Sequence, residues 1–364
     1  INSEQQFVYL AYAFLKGSLS FTQLPPTLAD LSFFDGKYFW PLGPFPALLL
    51  IPFVIFYKTN FLQGFIQLPL TLLNFYLVYQ ISKKLNLSST KSYLLAIFYI
   101  FGSVYTPVAA ISTSWLFAQV TVTSLLLLAI YFFVSVNNKN FFLISILISL
   151  AILTRANLIT TSVFFLIFIF QMPRFWKNLI AFTIPIATAI LLIGIYNHLR
   201  FGNFLESGYN YQLISEEPAQ RRSIGLFSVK HIPANLYYML IKSPDPIIAD
   251  QPHVLQFPYL KFDNYGMSIF FLSPILFLIL KTNFKDKLVK ISALTVAISL
   301  VPLLTYYGIG FNQVGYRYAL DFFPFLLLAI TPVVKTINEK HLKILIFVGV
   351  LITWFFTIEK LAGF

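Results

Sequence analysis

An all-α polytopic membrane protein is the fold class that the sequence predicts, on three observations. Only 10% of its residues are charged and 58% are hydrophobic, whereas a soluble chain carries about 25% charged residues. Apolar runs of membrane-crossing length or slightly less recur along the chain, about ten in all. The lysines and arginines gather in every second short connection, on one side of the membrane. A chain of this composition cannot cover its own surface with polar groups, so most of that surface faces lipid.

The elements follow in order. Phe7, Leu10, Ala11, Phe14 and Leu15 recur at helical spacing, with Gln5, Gln6 and Lys16 elsewhere. This predicts an amphipathic helix lying on the membrane surface. The stretch from Asp30 to Pro52 then passes from carboxylates (Asp30, Asp35) through a Pro/Gly elbow (Gly36, Pro41, Gly43, Pro44, Pro46) into a purely apolar run. That run, 44–57, suits a re-entrant or interfacial segment better than a crossing. Crossings are expected near 61–81, 92–110, 115–136, 141–154, 156–170, 178–196, 267–281, 290–307, 319–335 and 343–358. The organisation is thus a first outer loop (1–60), a helical block (61–196), a large outer loop (197–266) and C-terminal helices (267–364). Within the large loop, 231–242 reads as a second surface helix. The chain begins at Ile1, and an upstream portion with one further helix is expected.

With residue 1 outside, the cytosolic loops collect Lys83, Lys84, Lys91, Lys139, Arg174, Lys177 and the seven lysines from Lys281 to Lys343. The short outer connections hold only Arg155 and Arg317. This thirteen-to-two bias follows the positive-inside rule. It accounts for much of the net charge of +12 and argues against nucleic acid as a partner. The carboxylates are complementary: Glu4, Asp30 and Asp35 lie in 1–43, and six more lie in 197–266. The polar chemistry is therefore expected outside. With no cysteine and four scattered histidines, thiolate chemistry is excluded and a histidine metal cluster is not expected.

Glu4, Asp30 and Asp35 are the candidate catalytic carboxylates, because a carboxylate at a membrane rim can take a proton from an acceptor hydroxyl. Each has a plainer reading as a solvated or capping residue, and Asp35-Gly36 is also an ordinary turn pair. Arg155, in Leu-Thr-Arg-Ala-Asn between two apolar runs, either binds phosphate or snorkels to headgroups. Arg317, with Asp321 one turn later, reads as a phosphate or sugar ligand or as an i,i+4 pair. Lys37, and Arg200 and Tyr209 in the polar and aromatic segment 196–209, complete the candidate substrate-binding set. A divalent ion held by Asp30 and Asp35 is a further possibility for that pair. No metal or cofactor is required.

Five stretches resemble the GT-C superfamily of integral-membrane glycosyltransferases, in particular the group of protein O-mannosyltransferases and lipid A aminoarabinose transferases. They are residues 3–18, which look like the group's first outer-loop helix; the elbow 35–46; the hairpin Leu153-Thr154-Arg155; Tyr196 to Tyr209; and Gly315 to Pro324. The resemblance implies transfer of one sugar from a polyprenyl-phosphate donor to an acceptor hydroxyl of a protein, lipid or glycan, on the non-cytosolic face. It also implies that a first-loop carboxylate is the base. The family's acidic pair falls here on Ser3 and Glu4, so only its second member is acidic, and Asp30 or Asp35 are the substitutes. The expected location is an inner membrane of bacterial type. The rival functions are a transporter or flippase of a lipid-linked or anionic substrate, and a non-catalytic scaffold.

Overall fold

The computed structural model describes residues 4–135 and 139–363. The first segment contains α1 (Gln6–Leu15), a hairpin of β1 (Ser32–Phe34) and β2 (Lys37–Phe39), and α2 (Phe45–Tyr57). Next come α3 (Gly64–Lys84), α4 (Ser89–Phe101), α5 (Tyr105–Ala110), α6 (Ser114–Ser135), α7 (Phe141–Ile152), α8 (Ser162–Ile169) and α9 (Phe175–Phe201). The large loop carries α10 (Glu216–Ser223), α11 (Ile232–Leu240) and a hairpin of β3 (Asp245–Ile248) and β4 (Leu255–Lys261). The chain ends with α12 (Ile269–Leu272), α13 (Lys287–Thr305), α14 (Phe323–Thr336) and α15 (Glu339–Ala362).

Among the described residues, five helices are long and apolar enough to cross a membrane: α3, α6, α9, α13 and α15. Five of the about ten expected crossings are thus matched by such helices among the described residues. The other apolar runs are helical but short or interrupted. The run at 92–110 breaks at Gly102-Ser103, and the run at 267–281 breaks at Ser273-Pro274 into α12 and a 3-10 turn. The run at 156–170 begins as a 3-10 turn, Ala156–Thr161, before α8. Hydropathy measures composition and not helical continuity, so it counts such segments as whole. α2 is likewise a short apolar helix.

Two compact units make up the chain: Ile1–Leu73 with Ile111–Leu226, and Asn74–Ala110 with Phe227–Phe364. In the first unit α6 is the central helix. Its most apolar window is 78% buried, against 22% for α9. A helix apolar all round is suited to that place. Thr121, Thr123 and Ser124 return their hydroxyls to carbonyls one turn back, so α6 carries polar side chains without exposing them. α7 packs against both α6 and α9, and Asn140 caps its start by accepting from Leu143 N at 3.0 Å.

α1 is not a surface helix. Phe7, Val8, Leu10 and Ala11 are fully buried, and they share a core with Trp40, Leu50, Phe117 and Ala118. Gln5 and Gln6, expected on a wet face, are 2% exposed. Gln5 Nε2 donates to Ser112 O at 3.0 Å and Gln5 Oε1 accepts from Gln63 N at 2.9 Å. A glutamine whose amide is met by backbone groups can be buried at little cost, and because these partners lie 107 and 58 residues away, residue type alone does not show this.

In the second unit α15 packs on α4 and α5, and α13 on α14 and α11. Gly102 and Gly349 let α4 and α15 approach closely: a Cβ on Gly349 would stand 3.2 Å from Gly102 O. Small residues at membrane helix crossings serve this purpose. Ser273 Oγ donates to that same Gly102 carbonyl at 3.1 Å, so the two breaks in the apolar runs meet. Asp286 and Asn338 cap α13 and α15 through side-chain oxygens, as residues of these types do.

Candidate functional site

The first unit brings together four of the stretches flagged in the sequence. The elbow supplies the closest approach. Gly43 N donates to Thr154 O at 3.2 Å and Phe45 N to Leu153 O at 3.2 Å. A Cβ on Gly43 would lie 2.0 Å from Leu153 O, so only glycine permits this docking. Arg155 follows directly, in extended backbone at the corner between α7 and the 3-10 turn, and is 9% exposed.

Trp40, just before the elbow, is tied to the end of α9. Arg200 Nη1 donates to Trp40 O at 2.7 Å, Nη2 to Asn197 Oδ1 at 2.8 Å and Nε to Tyr196 O at 3.3 Å. Its guanidinium lies over the Tyr196 ring at 3.8 Å, and Tyr196 also meets Phe14 of α1 edge-on at 6.4 Å. A planar, forked cation suits this combination of stacking and bonding. Arg200, expected to bind substrate, holds the first loop onto α9.

Asp30 has left-handed backbone, with φ +66°. Its Oδ2 accepts from Trp115 Nε1 at 2.9 Å and its Oδ1 from Gln212 Nε2 at 3.1 Å. Asp30 N and Leu213 N complete reciprocal bonds with Leu213 O and Leu31 O, each 2.8 Å. Ser32 Oγ donates to Gly208 O at 2.8 Å. Segment 208–213 thus lies along the first loop, with Asp30 as the pin. Tyr209 belongs to this segment, packs against the α1–α2 core and gives its carbonyl to Arg222 Nη1 at 2.7 Å.

Asp35 and Gly36 occupy the two central positions of the β1–β2 turn, with φ of +47° and +70°. Positive φ at both positions is the geometry of a tight hairpin turn. Asp35 and the neighbouring Lys37 are exposed. Glu4 is partly exposed beside the start of α6. Its carbonyl accepts from Ser114 N at 2.9 Å, Ser114 Oγ at 3.1 Å and Gln63 Nε2 at 3.3 Å. Its neighbour Ser3 lies outside the described residues.

Arg317 and Asp321 belong to the second unit, in a 3-10 turn between Tyr316 and α14. Arg317 is 9% exposed and Asp321 1%. Arg317 Nη1 donates to Phe311 O at 3.2 Å, with the guanidinium 5.4 Å from the Tyr318 ring centre. Asn235, fully buried on α11, organises this region. Its Nδ2 donates to Leu304 O at 3.0 Å and Tyr306 O at 2.9 Å, and its Oδ1 accepts from Tyr316 OH at 3.2 Å. Gly315 allows the approach: a Cβ there would stand 2.2 Å from Leu272 Cδ1.

No family model matches the chain, and no curated protein matches it. Among solved structures, the Archaeoglobus fulgidus oligosaccharyltransferase in its apo form is similar at 12% identity, with a TM-score of 0.44. The alignment covers 99% of this chain and 52% of that one, so the chain spans about half the length of that protein.

The sequence missed the clamps. Trp115, Gln212, Gln63 and Asn235 fix the candidate residues, yet each lies far along the chain from its partner. Trp40 was also missed. It is fully buried, 5.0 Å from the Trp115 ring, and among the described residues its Nε1 has no hydrogen-bond partner. A buried donor left in that state costs roughly 1–3 kcal/mol. Among the described residues there is also no group of three or more His, Asp or Glu placed to hold a metal.

Proposed function

We propose that the chain is a membrane glycosyltransferase that moves one sugar from a polyprenyl-phosphate donor to an acceptor hydroxyl at the outer membrane surface. The observation that supports this most is the convergence in the first unit. The Gly43 elbow docks on the Thr154-Arg155 corner, while Glu4 is anchored at the start of α6. α6 and α7 pack together, and Trp40 at the elbow stands 5.0 Å from Trp115, so the elbow brings the start of α6 and the end of α7 to one end of the unit. Carboxylate chemistry and a cation thus share that end.

In this reading Glu4 takes the acceptor's proton, and the acceptor oxygen attacks the anomeric carbon. The bond from that carbon to the phosphate oxygen breaks, and polyprenyl phosphate leaves with the bonding pair. Arg155 stabilises the leaving phosphate, as a positioned cation does for developing charge. Asp30 positions the loop, because both its oxygens are engaged by neutral donors. Asp35 is the reserve base, free of the core on its turn.

The test is transfer from a polyprenyl-phosphate sugar in membranes carrying Glu4→Gln, Asp35→Asn or Arg155→Ala. Glu4→Gln should lower turnover by about 10²–10⁴-fold, the usual worth of a general base, with unfolding temperature unchanged. Arg155→Ala should lose turnover too, and Asp35→Asn should lose little. Wild-type turnover in both Glu4→Gln and Arg155→Ala sinks the proposal.

A further inference from the structure

At the lysine-bearing end of α3, the second unit carries a groove that the proposed transfer does not use. It has a volume of about 540 Å³, within the roughly 300–1,000 Å³ usual for small-molecule sites. Phe75, Tyr76 and Tyr79 of α3 form one wall, and Ser89, Tyr93 and Leu94 of α4 the other. The Tyr93 ring meets Phe75 edge-on at 5.5 Å and Tyr79 at 6.5 Å, so the walls are fixed against each other. The groove opens outward: Tyr76 is 52% exposed and Tyr93 54%. Exposed aromatic rings on a helix long enough to cross a membrane face lipid, and tyrosine suits the headgroup level.

Charge identifies the occupant. Residues 76, 79 and 83 follow one face of α3 at helical spacing, so the aromatic stripe runs into Lys83. Lys83 Nζ donates to Ser89 Oγ at 3.1 Å across the mouth, which leaves further ammonium protons for an acceptor. Lys84 is exposed beside it. Lys91 is committed elsewhere: it donates to Lys335 O at 2.7 Å and Ile337 O at 2.8 Å, closing the end of α14. An apolar aromatic trough that ends in two lysines and a hydroxyl matches an acyl chain that ends in a phosphate.

The geometry points to a bound anionic phospholipid, its acyl chain along the α3–α4 trough and its phosphate on Lys83, Lys84 and Ser89. The site is separate from the proposed transfer chemistry, so its test does not depend on that reading. Protein purified in detergent is mixed with phosphatidylglycerol or phosphatidylcholine of identical acyl chains, and bound lipid is counted by native mass spectrometry. One phosphatidylglycerol should be retained with roughly tenfold or greater preference over phosphatidylcholine, from two basic residues near the headgroup. Lys83→Gln with Lys84→Gln should abolish the preference, and Leu94→Trp should exclude both lipids by filling the trough. The same double change at Lys285 and Lys287 should leave the preference intact. Equal retention of the two lipids by the wild type overturns the proposal. So does full preference in the Lys83/Lys84 variant, or displacement of the lipid by millimolar inorganic phosphate.

Discussion

A side chain of even one carbon is excluded at Gly43, and the consequence is measurable. Its Cβ would meet a backbone carbonyl at 2.0 Å, and backbone cannot swing aside as a flexible side chain can. Gly43→Ala should therefore cost about 1–3 kcal/mol, the usual penalty of overpacking, and should reduce activity along with melting temperature. Asp30 permits a finer division between holding and reacting. Asp30→Ala leaves the Trp115 indole N–H without its acceptor and should cost about 1–3 kcal/mol. Asp30→Asn keeps one carbonyl oxygen for Trp115, and Gln212 can turn its amide to accept, so stability should fall by less. If Asp30→Asn keeps its melting temperature but loses transfer, Asp30 takes part in the chemistry and is not only a pin. The sequence marked Asp30 and Gly43 in the stretch that passes from carboxylates to an apolar run, and Arg200 in the polar and aromatic segment 196–209. It did not reveal their partners, because Leu153, Gln212 and Trp40 are ordinary residues more than a hundred positions away in each case.

Among the elements, the sequence reading was sound where a helix has one environment along its length and failed where the environment changes. α3, α6, α9, α13 and α15 are continuous apolar runs, and the expected spans overlap all five. α1 was expected to be split into wet and dry faces, but Gln5 and Gln6 at its start are buried, Gln5 with partners from outside the helix. Asp35-Gly36, read only as an ordinary turn pair, is the turn of the β1–β2 hairpin, an element the all-α reading did not include. The large loop contributes another element with its own chemistry. Lys242, just after α11, lies 2.5 Å from Asp245 Oδ1 and 3.4 Å from Asp263 Oδ2, and so ties β3 to the segment after β4. Burial lowers the pKa of its ammonium, but the hydrogen bond and charge of Asp245 and the charge of Asp263 outweigh that and raise it overall. A folded-state pKa above the unfolded value near 10.4 stabilises the fold fully below that pH. The contribution is lost as pH rises through the higher folded value. Lys242→Met should therefore unfold more easily than wild type at neutral pH. The gap in unfolding midpoint should close as pH rises above about 10.4. A gap that stays constant across that range would exclude titration of Lys242 as its cause.

Over the whole molecule, charge is sorted by helix end in each unit, and this carries the orientation. In the first unit Glu4, Asp30 and Arg155 lie with the start of α6 and the end of α7. Lys139, Arg174 and Lys177 lie with the opposite ends, where Phe141 of α7 meets Phe182 of α9. In the second unit Lys91 joins the carbonyls that close α14, while Asn235 and Tyr316 meet at the far end of α13. If cationic loops stay in the cytosol, the candidate carboxylates face outward. The absence of cysteine from the chain makes the test direct, since any introduced thiol is the only one. Asp35, Lys177, Lys230 and Lys285 are all exposed and can be replaced singly by cysteine. A membrane-impermeant thiol reagent added to intact cells should label Asp35→Cys and Lys230→Cys at once. It should label Lys177→Cys and Lys285→Cys only after the membrane is permeabilised. Labelling of Lys177→Cys and not Asp35→Cys would invert the first unit and put its carboxylates in the cytosol, where an outer-surface transfer has no use for them. Labelling of both members of either pair in intact cells would mean that a helix long enough to cross does not.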